Sequence, residues 1–138
     1  MAEMITERKL DSLRRCLERV RRWCPDEAEA LTVDVDAQDI LSLNLTRAVQ
    51  LCVDIGAQVL ARSGAAAPQT MAQTFAQLSQ EGIIAPELAE RMRRAVGFRN
   101  IAIHEYDEID WQIVHAIATR HLTDFEDFAR AAVAELGS

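Results

Sequence analysis

The sequence predicts an all-α fold, a compact bundle of about five helices forming a single domain over residues 1–138. Three observations carry this. The chain has only three prolines and five glycines, against many Ala, Leu, Arg, Glu and Gln residues, the good helix formers. Apolar side chains recur at steps of three and four over long stretches, and no segment alternates with the period of two that marks a strand. No internal repeat or low-complexity linker divides the 138 residues, and a hydrophobic share of 49% suffices for one buried core.

Taken in order, residues 5–24 read as a first helix, with Ile5, Leu10, Leu13, Leu17 and Val20 along one stripe and Pro25 as its stop. Residues 25–35 are acidic and read as irregular. A longer second helix is expected from about Asp36 or Ala37 to Arg62. Leu41, Leu45, Ala48, Cys52, Ile55 and Val59 lie on one face, and Ile40, Leu43 and Leu51 widen it into a central helix with several neighbours. After the loop 63–68, Thr70 caps a short third helix carrying Met71, Phe75 and Leu78, which ends at Gly82. Pro86 suits the first turn of a fourth helix with Leu88, Met92, Val96 and Phe98. Asp110 caps the last one, where Trp111, Val114, Ala118, Leu122, Phe125, Ala129, Ala132 and Leu136 trace one stripe.

Composition also excludes. No apolar run is expected to cross a bilayer, and the N-terminus lacks the core of a signal peptide, which points to the cytoplasm. Three cysteines (Cys16, Cys24 and Cys52) are neither a disulfide framework nor spaced for zinc, so no metal or other cofactor is expected. A net charge of −7 argues against a protein that coats nucleic acid or binds DNA. The positive charge is nearly all arginine, dense in residues 1–24 and again at Arg91, Arg93, Arg94 and Arg99. Arginine grips phosphate in a two-pronged fork. Those of the first and fourth helices are expected to gather into a local positive cleft, although solvated faces with i,i+4 ion pairs account equally for such residues.

The stretch GFRNIAIHEYDEID, residues 97–110, concentrates the reactive side chains: Arg99, Asn100, His104 and Tyr106, the sole tyrosine. Asn100 and His104, four apart, share a helix face; Arg99 and His104, five apart, stand about 140° around the axis. An unbroken helix would not aim the latter two at one small group. Gly97 before the motif and the acidic DEID after it mark places where regular helix can loosen or end. Either the helix frays at His104, or a second copy supplies the missing partner, and the expectation combines the two in a symmetric homodimer with two Arg/His sets round one cleft. A histidine can take or give a proton near neutrality, and an arginine beside it can stabilise the charge building on a phosphate. RNA brings its own nucleophile, the 2′-hydroxyl, so the pair would suffice for cleavage without a metal. The plainer reading has His104 capping a helix end and Arg99 paired with Glu105 or Asp107. His115 and His121 read as cap or surface residues.

The spacing R-x-x-x-x-H-x-Y, with Asn after the Arg, resembles the signature of HEPN-domain ribonucleases, in particular the HepT toxins of toxin–antitoxin pairs. The segments 48–61 and 74–114 are similar to the family's core helix and its run through the active site, and the likeness covers residues 36–128. The resemblance implies a HEPN-like bundle, homodimeric, in which Arg99, His104 and Asn100 cleave RNA without a metal. It implies a partner of the MntA type, a nucleotidyltransferase antitoxin that adds AMP to Tyr106 and so blocks the cleft by bulk and charge. Asp54 matches a polar position near the site in many relatives and takes a supporting role. The alternative is a non-catalytic HEPN adaptor, or a nucleotide-binding subunit of a nucleotidyltransferase complex.

Overall fold

The computed structural model describes residues 2–137; the side chains of residues 2 and 3 lie outside that description. Every regular element among the described residues is helical: α1 (Ala2–Trp23), α2 (Ala28–Leu31), α3 (Val35–Arg62), α4 (Met71–Gln80), α5 (Pro86–His104), a 3-10 turn (Tyr106–Glu108), α6 (Trp111–Arg120) and α7 (Leu122–Leu136). The all-α expectation holds, with seven helices in place of about five.

The extra elements have local causes. Within the acidic segment, Leu31 is fully buried, and one anchored side chain winds 28–31 into a turn of helix beside α6. The last helix breaks at His121, whose backbone (φ −121, ψ 8) ends α6 and starts α7. Val114, Ala118, Leu122, Phe125 and Ala132 stay buried on both sides of that break. The stripe runs on while the axis turns, so the periodicity carries no trace of it.

The stops and starts are those the chemistry favours. Asp34, Thr70 and Asp110 each accept a hydrogen bond from a backbone N–H in the first turn they precede, at 3.0, 3.1 and 3.0 Å. Pro86 opens α5. Gly82 takes φ +74, letting Ile83 N–H reach the Leu78 carbonyl at 2.9 Å and close α4.

α3 is the axle of the bundle, packing against each of the other six helices. Leu41, Leu45, Ala48, Val49, Cys52, Ile55, Val59 and Leu60 are all buried. Gly56 lets α4 and α7 come close: a Cβ there would stand 2.8 Å from Thr74 Cγ2 and 3.0 Å from Leu78 Cδ1. Beside it Phe75 and Phe128 meet edge to face, centroids 5.5 Å apart. Contrary to expectation, α3 is long and apolar enough to cross a bilayer by length and composition, but 56% of that window is buried within the protein. Two expected core positions differ as well. Ile5 and Leu43 are exposed, and Thr6 is buried in the place of Ile5, its hydroxyl bonded to Gln58.

Candidate active site

α5 carries the motif to the surface. Leu88, Ala89, Met92, Val96, Phe98 and Ala102 bury one side of it, and the helix continues through Gly97 without loosening. It stops immediately after His104. Glu105 leaves the helical region (φ −140, ψ 52) while its N–H still bonds the Ile101 carbonyl at 2.8 Å. Buried Ile109 then pins the 3-10 turn, so that Tyr106 swings back towards α3.

The five-residue spacing therefore lies wholly within regular helix, and Arg99 and His104 leave α5 in directions about 140° apart. Arg99, half-buried, bends towards Asn100 and donates to its Oδ1 at 3.4 Å. Asn100 and His104 are both exposed, one turn apart. The structure thus joins Arg99 to Asn100 and sets His104 on the Asn100 face. No carboxylate pairs with Arg99 among the described residues, so its expected ion pair with Glu105 or Asp107 is not formed.

Tyr106 has the most defined surroundings. Its hydroxyl donates to Asp39 Oδ1 at 2.7 Å, and its ring meets Trp111 edge to face, centroids 5.8 Å apart. Burial first, then the bond to Asp39 and that carboxylate's charge, push the phenol up to about 12. Asp39 lies 67 residues away in sequence, within an acidic helix start, and nothing in its neighbours signals the contact.

Asp54 lies 15 residues beyond Asp39 on α3, roughly 22 Å along the axis, held by Lys9 Nζ at 3.2 Å and Gln50 Nε2 at 2.9 Å. The expected arginine cleft divides. On α5, Arg91 is bound to Asp124 at 2.8 Å, and Arg93 and Arg94 are bound to Glu90. On α1, Arg15 and Arg19 join Arg47 of α3 around a groove of about 410 Å³. These guanidiniums pull against the burial that pushes the nearby Cys16 thiol up. His115 is half-buried, its Nε2 2.9 Å from the Pro25 carbonyl, while exposed His121 sits at the α6–α7 break.

Next to the motif lies an apolar groove of about 560 Å³ between α5 and α6, lined among others by Ala95, Phe98, Ile101, Ile109, Ile113 and Ile117. Ile101 and Ile113 are 40% and 56% exposed, a large apolar outlay for a surface.

Compared with known proteins, residues 13–132 match the family described as Ribonuclease HepT-like. The chain belongs to the HepT-like ribonuclease family. An mRNA nuclease HepT of Shewanella oneidensis is 32% identical over 127 residues, 92% of this chain and 95% of that protein. A tRNA nuclease HepT of Aphanizomenon flos-aquae is 27% identical, over 78% of this chain and 73% of its own length. Among solved structures, a toxin–antitoxin complex with AMP-PNP superposes with a TM-score of 0.88 at 31% identity, covering 94% of this chain and 98% of that one. A tri-AMPylated Shewanella oneidensis HEPN toxin, in complex with an MNT antitoxin, does so with the same TM-score at 32% identity, over 94% and 97%. The HEPN-like likeness of this HepT-like bundle therefore extends over nearly its whole length.

Proposed function

We propose that this HepT-like chain is an endoribonuclease toxin that cuts RNA at a site built from Arg99, Asn100 and His104. The observation that carries the reading is the exposed Arg99–Asn100–His104 set at the end of α5, unneutralised by carboxylates, in a chain 32% identical to an mRNA nuclease. The chemistry follows from the groups. His104 takes the proton of a ribose 2′-hydroxyl as that oxygen attacks the adjacent phosphorus; the bond from phosphorus to the 5′-oxygen breaks, and the departing oxygen takes a proton from solvent. Arg99 holds a non-bridging oxygen as charge builds there, and Asn100 orients the phosphate or the imidazole. A 2′,3′-cyclic phosphate and a 5′-hydroxyl result, with no metal required.

A second copy completes the site. Arg99 and His104 diverge on one helix, and the apolar groove beside them suits the same face of a homodimer partner. Tyr106 is the handle for control. Its ring packs edge-on against Trp111 and the residue is exposed, and a HEPN toxin of the same fold is known in tri-AMPylated form with its antitoxin. An MntA-type nucleotidyltransferase would place AMP there, and the added phosphate would compete for Arg99.

The test is cleavage of a defined RNA by purified protein in excess EDTA. Wild type yields cyclic-phosphate ends, and His104→Ala loses about 10²- to 10⁴-fold in rate. Equal cleavage by the His104→Ala protein would end the assignment.

A further inference from the structure

We infer that Asp39 is the general base for nucleotidyl transfer onto Tyr106, so that this chain supplies a catalytic group for its own modification. The inference rests on Tyr106 being the acceptor, and adds to that reading a residue on a different helix.

The geometry is that of a proton about to be handed over. Tyr106 Oη donates to Asp39 Oδ1 at 2.7 Å, within the range for a general base and its proton. Each end is held by its own element. Asp39 rides on the second turn of α3, whose start Asp34 caps, and the Tyr106 ring is braced edge-on by Trp111 at the head of α6. Both residues are open to solvent, and so to the active site of a partner enzyme. Other titratable groups lie close in sequence on the same elements: Asp36 on α3, His104 and Glu105 at the end of α5, Asp107 and Glu108 in the turn, and Asp110 before α6, while Asp39 supplies the charge that acts on the phenol. Among the described residues the phenol is hydrogen-bonded to Asp39 alone.

Chemistry makes a base necessary. With the phenol held near 12, about one molecule in 10⁵ carries a phenolate at pH 7. A reaction that waited for it would forfeit most of its rate. The carboxylate that disfavours a preformed phenolate is also the group able to accept its proton during attack. In the step, the Tyr106 Oη–H bond breaks towards Asp39 as Oη bonds to the α-phosphorus of ATP. The bond from that phosphorus to its bridging oxygen breaks, and pyrophosphate leaves with the electron pair. The proton on Asp39 then passes to solvent.

The experiment incubates the full-length chain with its partner nucleotidyltransferase, magnesium and ATP, and follows AMP addition by intact mass between about pH 6 and 9. Asp39→Asn retains an oxygen that can accept the hydrogen bond and removes the ability to take the proton. Its rate should fall about 10²-fold or more at pH 7 relative to wild type. The ratio of its rate to the wild-type rate should climb about tenfold per pH unit, because the variant must use phenolate. Asp39→Glu should recover part of the rate with the wild-type profile. Modification of Asp39→Asn at the wild-type rate overturns the proposal. So does a loss that is constant across pH, which marks a structural contact only. Either result leaves Tyr106 as acceptor intact, whereas a wild type that gains no mass, or a Tyr106→Phe protein that gains as much, removes the acceptor and the base together.

Discussion

At the scale of single residues, the site was legible by type and obscure by partnership. Arg99, Asn100, His104 and Tyr106 were readable as a constellation because helical spacing fixes their directions once the helix is known. Asp39 was not, because its link to Tyr106 spans 67 residues and exists only when α3 and the 3-10 turn are packed. Asp54, on the same helix as Asp39, has partners just as hidden from the sequence, Lys9 of α1 and Gln50 one turn back. The Tyr106–Asp39 contact has a direct signature. An ultraviolet titration of wild type should show the single phenol ionising near pH 12, and Asp39→Asn should bring it down towards the ordinary value near 10. The sign for stability follows. A phenol raised by folding adds stability that is complete below about pH 10 and disappears as the pH climbs to about 12. Urea midpoints for wild type and Tyr106→Phe should therefore converge over that interval.

Elements were read well where caps and breakers speak for themselves. Asp110, Thr70, Pro86 and Gly82 act at the places their chemistry suggests, and the ends of α4 and α5 fall within a residue or two. What stayed hidden were features that leave periodicity untouched, such as the turn at His121, and features carried by one side chain, such as Leu31 under α2. Gly56 belongs to the same class: nothing around it in sequence announces the crossing of α3 with α4 and α7. Gly56→Ala gains about 1 kcal/mol in helix propensity but forces Thr74 and Leu78 apart, at a cost of about 1–3 kcal/mol. A net loss is expected, seen as a lower urea midpoint with unchanged slope.

For the molecule as a whole, an acidic chain with the proposed RNA-binding task is less contradictory than its net charge of −7 suggests. Arg91, Arg93 and Arg94 are spent on internal ion pairs, while Arg99 is spared and Arg15, Arg19 and Arg47 gather at one groove. Local field, not net charge, decides where a phosphate settles. The apolar groove between α5 and α6 is the other whole-molecule feature, and it was beyond reach of the sequence because Ile101 and Ile113 fit a core stripe as well as a surface. Ile113→Glu should leave the helical content unchanged, since that side chain is mostly exposed. On the proposed homodimeric site it should give a monomer in light scattering where wild type gives a dimer, and lower the proposed RNA cleavage at least tenfold with it.

Finally, α5 runs straight through the motif, and this has a genetic corollary. If guanidinium and imidazole of opposite subunits meet at each scissile bond, two defective alleles can cover for one another. Mixed chains, one lacking Arg99 and the other lacking His104, would reconstitute one working centre per heterodimer and one with neither group. Refolded together, two inert preparations should regain about a quarter of normal turnover from random pairing. Continued silence of the mixture would mean that each polypeptide works with its own pair.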